Sequence, residues 1–181
     1  ASSVSVVPVN DAPTLSATAV GGTFTEGAGV TTGSAVSLFS GASISTVEAG
    51  QTLTSLTFAV GNVNDGSSEQ LNVDGSVISL VNGTGTTTTN GMTYTVTVSA
   101  GTATIALTKA SGVSAAAMQS LVNGMSYQNT SQDPTAGVRT ITLTQIKDSG
   151  GITNGGIDTT GLSIASSVSV VPVNDAPTLS A

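Results

Sequence analysis

The chain contains no cysteine, no histidine and no tryptophan, and only three of its 181 residues are cationic: Lys109, Arg139 and Lys147. Each shortage removes a class of chemistry. Without cysteine there is no disulfide, no thiolate nucleophile and no cysteine-based zinc site. Without histidine, the usual general base and the commonest transition-metal ligand are missing. Three cations cannot neutralise a run of phosphates, which argues against nucleic acid as a partner and against docking on an anionic membrane. No apolar run reaches the length that membrane insertion requires. The aromatics are only Phe24, Phe39, Phe58, Tyr94 and Tyr127. Most fall at apparent core positions, which leaves little for stacking against sugars.

What remains is a polar but almost uncharged chain. Charged residues are 7% of the total, so the wetted surface must be built from Ser, Thr, Asn, Gln and Gly. Ten carboxylates give a formal charge of −7, a surplus that suits divalent cations. The apolar share is 38%, too high for a disordered composition and enough to bury a sizeable core.

An internal repeat organises the sequence. Residues 1–17 read ASSVSVVPVNDAPTLSA and recur letter for letter as residues 165–181, a period of 164. The simplest source is a parent of near-identical tandem units. Two copies of SVSVVPV cannot fill one strand position in one domain. The expected division is therefore residues 1–9 as the last strand of a preceding repeat and 10–17 as a linker. Residues 18–173 then form one complete β-sandwich repeat, and 174–181 the linker to the next. Taken away from its own unit, the first copy is expected either to be orphaned or to add to a neighbour's sheet.

Strand patterns dominate. Residues 92–98, 104–108 and 139–144 alternate apolar side chains with Thr or Ser at period two, the mark of a half-buried antiparallel strand. Further strands are expected at 22–25, 35–39, 52–60, 69–73, 77–81 and 162–164. The dipeptides Asp65-Gly66, Asp74-Gly75, Asn82-Gly83 and Asn90-Gly91 are turn signals, and the Thr-rich run 83–91 reads as a mobile hairpin tip. One helix is expected after Ser114, its N-cap, with Met118, Leu121, Val122 and Met125 as a core stripe and Gly124 as C-cap. The fold class expected is all-β, an antiparallel sandwich with one short helix.

Three ordered stretches carry a family resemblance: Thr23-Phe24-Thr25-Glu26-Gly27; LVNGMSYQNT at 121–130 with Asp133-Pro134 and Arg139-Thr140-Ile141; and Lys147-Asp148-Ser149-Gly150-Gly151 leading to Val173-Asn174-Asp175-Ala176-Pro177. Together they resemble the cadherin-like repeats of giant bacterial adhesins and related tandem surface proteins. The resemblance implies an immunoglobulin-like or cadherin-like sandwich, an extracellular place on the bacterial surface, and a role as spacer or adhesive stalk among identical neighbours. It also implies calcium at the junctions between repeats. Carried over, Glu26 matches the first-strand acid and Asp148 the loop aspartate, while Asn10, Asp11, Asn174 and Asp175 match part of the linker motif. Pro8 and Pro172 stand where that motif has its first Asp, and Ala12 and Ala176 where it has its second Asn. This departure implies one ion per junction or none.

Calcium takes about six to eight oxygens. One junction would draw on Glu26 with Asn174 and Asp175, the other on Asp148 with Asn10 and Asp11, with Glu48, Asp65 and Asp74 in reserve. The same Asn-Asp before Ala-Pro also suits a plain Asx turn. No nucleophile, base and orienting group can be assembled, so no enzymatic activity is expected. Two roles follow: a structural extender repeat, or a filament or sheath subunit that polymerises by strand addition.

Overall fold

The computed structural model describes residues 2–177. Ala1 and residues 178–181, which include the end of the expected linker, lie outside the described residues. The protein is mostly β, with several antiparallel sheets and one helix.

In chain order the strands are β1 (Thr14–Ala19), β2 (Gly22–Thr25), β3 (Val36–Ser37), β4 (Phe39–Ser45), β5 (Leu53–Gly61), β6 (Glu69–Val73), β7 (Ser76–Ser79), β8 (Gly83–Thr86), β9 (Thr93–Ser99) and β10 (Thr102–Val113). Helix α1 (Ala115–Asn123) follows, then β11 (Ser126–Asn129), β12 (Gly137–Asp148) and β13 (Thr159–Val171). A seven-stranded sheet runs β2-β13-β12-β5-β10-β9-β8, a four-stranded sheet β3-β11-β6-β7, and β1 pairs with β4 alone. The alternation seen in the sequence places Leu56, Phe58 and Val60 of β5, Ile105 and Leu107 of β10, and Ile141 and Leu143 of β12 on one buried face. Leu71, Val73, Ile78 and Tyr127 from the four-stranded sheet join the same core. Phe24 meets Tyr127 edge to face across the sheets, with ring centroids 5.8 Å apart.

Three expectations are corrected. The linker does not run to residue 17: from Thr14 the chain is strand, because Leu15 is buried and its backbone pairs with Ile44 of β4. The architecture is not wholly antiparallel, since β2 lies parallel to β13, Val168 opposite Gly22 and Val171 opposite Thr25. The run 83–91 is no free tip. Its first half is β8, paired with β9, and the buried Asp74 carboxylate accepts hydrogen bonds from the Thr87 hydroxyl and from the Asn90 side chain and backbone. Gly124 is the C-cap of α1, as expected, its amide donating to the Ser120 carbonyl in a right-handed conformation (φ −87°).

Local chemistry explains most boundaries. Asp74 and Gly75, at φ 52° and 77°, make the primed turn of the β6-β7 hairpin. Ser114 accepts a hydrogen bond from the Ala117 amide and starts α1. The helix in turn guards a sheet edge: Gln119 and Asn123, one turn apart, accept the Ile44 and Ala42 amides of β4.

The two copies of the repeated segment fare differently. Residues 2–9 have no regular secondary structure and are exposed, with Val4 at 87% and Val6 at 86%. Their equivalents Val168 and Val170 lie in β13 at 0% and 2%, between β12 and β2.

One cation is fully buried, against an equally buried carboxylate. Arg139 Nε donates to Glu69 Oε1 at 2.7 Å, and its Nη2 contacts Glu69 Oε1 and reaches Asp65 Oδ2 at 3.3 Å. Asp65 also accepts the Asn129 amide (2.7 Å) and the Thr135 backbone amide (3.0 Å). Burial works to raise Asp65, but the Thr135 and Asn129 hydrogen bonds and the Arg139 charge outweigh it and hold the carboxyl below its ordinary value. Burial pushes Glu69 up, and the Arg139 hydrogen bond and charge only partly pull it back.

Replacing Arg139 with Ala leaves Glu69 buried without its cation and should destabilise the fold by about 3–5 kcal/mol in urea unfolding. A loss under about 1 kcal/mol would show the pair to be dispensable. Acid tests the carboxylates. Asp65, with its lowered value, contributes stability that is present above pH 3.8 and lost as pH falls through its folded pKa. Glu69 has the opposite sign: its contribution is present below 4.5 and is lost as pH rises through its folded value. Below pH 3.8, the melting temperature of Asp65→Asn should therefore fall less steeply than that of the unaltered chain.

Candidate functional site

The strand register places the candidate residues at two opposite ends of the unit. β12 runs antiparallel to β13, with Lys147 opposite Thr159 and Gly137 opposite Val170. Asp148, the last residue of β12, therefore stands at one end of the sheet, and Val171 with the residues that follow it stands at the other. A fully extended strand the length of β13 spans about 40 Å.

At the first end the chain enters through Asn10, which is buried. Its side-chain amide donates to Asp148 Oδ1 at 3.1 Å and to the Ile157 carbonyl at 2.7 Å, and its Oδ1 accepts from Gln51 Nε2 at 2.7 Å. Its backbone carbonyl accepts the Ile157 amide. Every polar atom of the Asn10 side chain is thus engaged. Asp11 donates its backbone amide to Glu48 Oε1 at 2.9 Å, while its side chain is exposed. Asp148 Oδ1 also accepts the Gly150 amide at 2.9 Å, which closes the turn after β12. Nearby, the Thr159 hydroxyl and then Lys147, whose Nζ lies 3.1 Å from Asp158 Oδ2, hold the Asp158 carboxyl below its ordinary value. The Thr160 hydroxyl donates to the Pro13 carbonyl and ties the entering chain to β13.

The second end is built around the loop after β2. Glu26 is buried; its backbone amide donates to the Val171 carbonyl, and its Oε2 accepts the Val173 amide at 2.8 Å. Three residues on, the Gly29 amide donates to Asp175 Oδ1 at 2.6 Å. Asn174 is exposed, and among the described residues its side chain reaches only the neighbouring Asp175 carbonyl, at 3.3 Å.

Comparison with family models, curated proteins and solved structures finds no match.

The geometry brings Asp148 directly onto Asn10 and sets Asp11 beside them. It brings Glu26 onto the backbone just before Asn174, and Asp175 onto the Glu26 loop. The two groups do not touch each other. Among the described residues no set of three or more Asp, Glu, His or Cys converges as a ligand cluster within the unit. Four buried carboxylate oxygens nonetheless lack a hydrogen-bond donor: Glu69 Oε2 beside Arg139 in the core, Glu26 Oε1 at one end, and Glu48 Oε2 and Asp148 Oδ2 at the other. Gln51, the Ile157 carbonyl and Gly29 take part without having been singled out in the sequence, and Glu48 had been only a reserve. The one local hint was Glu48 itself, an acid in a turn of a chain that has few acids.

The fit around Asn10 is tight. A Cβ on Gly150 would stand 1.8 Å from Asn10 Oδ1, and one on Gly156 would stand 3.1 Å from the Asn10 Cβ. Gly150→Ala should therefore expel the Asn10 side chain and destabilise the unit by about 1–3 kcal/mol. Hydrogen exchange at the Ile157 amide should accelerate along with it. Unchanged protection there would mean that Asn10 is not what holds the entering chain.

Proposed function

We propose that the chain is one extender unit of an extracellular tandem-repeat protein of the bacterial surface, folded as a cadherin-like, immunoglobulin-like sandwich. Its work is reach: folded units joined end to end hold a distal binding function away from the cell. The observation that carries this reading is the placement of the two Asn-Asp copies. Identical in sequence, they meet the unit at opposite ends, as the entry and exit of a chain threaded through successive beads must. The low charge and hydrogen-bonding surface fit a stalk that is to avoid non-specific adhesion.

Calcium is the ion proposed for the junction. Hard divalent cations take carboxylate and carbonyl oxygens. The orphaned oxygens of Glu26, Glu48 and Asp148 are buried and without donors, which is the state of ligands ready for such a cation. Glu26 and Asp175 would supply oxygens from one unit, and Glu48 and Asp148 from the unit that follows. The ion would neutralise carboxylates that the chain's few cations cannot reach.

The test uses chains of one, two and three consecutive units. Small-angle scattering should give a maximum dimension that grows by about 40 Å per unit. Saturating calcium should raise the melting temperature of the multi-unit chains by about 5–10 °C over chelator, and that of the single unit by much less. Equal melting with and without chelator removes the ion from the proposal, and a maximum dimension that does not grow with unit number removes the extender.

A further inference from the structure

The two copies of the Asn-Asp pair are each half engaged, and the halves are complementary. In the first copy, the Asn10 side chain is buried against Asp148, Gln51 and Ile157, and the Asp11 amide is held by Glu48, while the Asp11 carboxylate is free at the surface. In the second copy, the Asp175 carboxylate is held by the Gly29 amide and the preceding Val173 amide by Glu26, while the Asn174 side chain stands exposed. Among the described residues, no group of the pair bonds the body of the unit in both copies; the Asn174 amide reaches only the carbonyl of its neighbour Asp175. The Asn side chain and the Asp amide face the unit that follows; the Asp carboxylate and the amide two residues before it face the unit that precedes.

We infer that each Asn-Asp pair is a two-sided clamp that docks consecutive units directly onto each other through protein hydrogen bonds. The partner surface is the end of the next copy of this unit: Asp148, Gln51, Glu48 and the Ile157 carbonyl, with Gly150 and Gly156 opening the slot. Asn174 would enter that slot as Asn10 enters it here, and Asp175 would bond forward through its amide and backward through its carboxylate. One residue spans the boundary, so the linker has almost no free length and the angle between neighbours is set by backbone geometry. The clamp rests on the tandem-unit reading but needs no metal. A cation bound by the orphaned carboxylates would add to it.

The experiment compares the 181-residue chain with a chain in which residues 18–181 follow a second time. In the single chain, Asn10→Ala should lower the melting temperature by about 3–8 °C, and Asn174→Ala should leave it unchanged. In the two-unit chain, Asn174→Ala should lower the melting of the second unit by the amount that Asn10→Ala costs the first. Asp175→Ala should abolish hydrogen-exchange protection at Gly29 and broaden the scattering distribution of inter-unit distances. All measurements are made in chelator, so that an ion cannot substitute for the clamp. Unchanged melting of the two-unit Asn174→Ala chain overturns the clamp and leaves the extender standing, since beads on a flexible linker still add length. A second unit that fails to fold behind the first overturns both.

Discussion

The structure depends on the pairing of its last strand. β13 is an interior strand of the large sheet: from Thr159 to Val170 it is matched antiparallel by β12, and its final residues are matched in parallel by β2. Val168 and Val170, which fill the core beneath it, belong to the segment repeated at the start of the chain. Without that strand, β2 would lose its only sheet partner and Glu26 would lose the Val171 carbonyl that anchors it. The loop that receives Asp175 hangs on the same anchor. Core closure and the placement of the Asn174-Asp175 end therefore depend on one stretch of backbone.

Scarcity of charge sharpens the few ionic contacts that exist. Arg139 is fully buried; Glu69 and Asp65 accept from its Nε and Nη2, and Asn129 and Thr135 donate to Asp65, while Arg139 Nη1 and Glu69 Oε2 are left without partners. Lys147 lies at the entry end with Asp158. With the cations so placed, the carboxylates at the two ends, Glu26, Glu48 and Asp148, are satisfied mainly by backbone amides and side-chain amides. One oxygen of each is left over.

Much of the fold was legible in the sequence because period-two alternation survives wherever a strand has one wet face. β2 and β6 match their expected bounds, and β5, β9 and β12 lie within a few residues or extend theirs. The missed pieces share a cause. β1 and β4 form a ribbon whose residues are small and mostly exposed, so burial writes no pattern into them. β8 is GTGT and carries no apolar signal at all; its order comes from β9 and from Asp74 across the turn. The buried Arg139 had a signal that went unread. It shares a strand face with Ile141 and Leu143, as Glu69 does with Leu71 and Val73, so both charges fall on the core side of their strands.

The sequence by itself determined the repeat period, the β class and the helix with its Ser114 cap. Those properties are local or statistical, and side-chain type and spacing suffice to specify them. The tertiary structure alone decided that Asp148 meets Asn10 across 138 positions and that Val173 meets Glu26 across 147. It alone decided that β2 joins β13 in parallel. These are questions of which strand lies beside which. A strand's own residues specify a wet face and a dry face, but its hydrogen-bonding edges are the same backbone everywhere, so the partner is chosen only when the whole core closes.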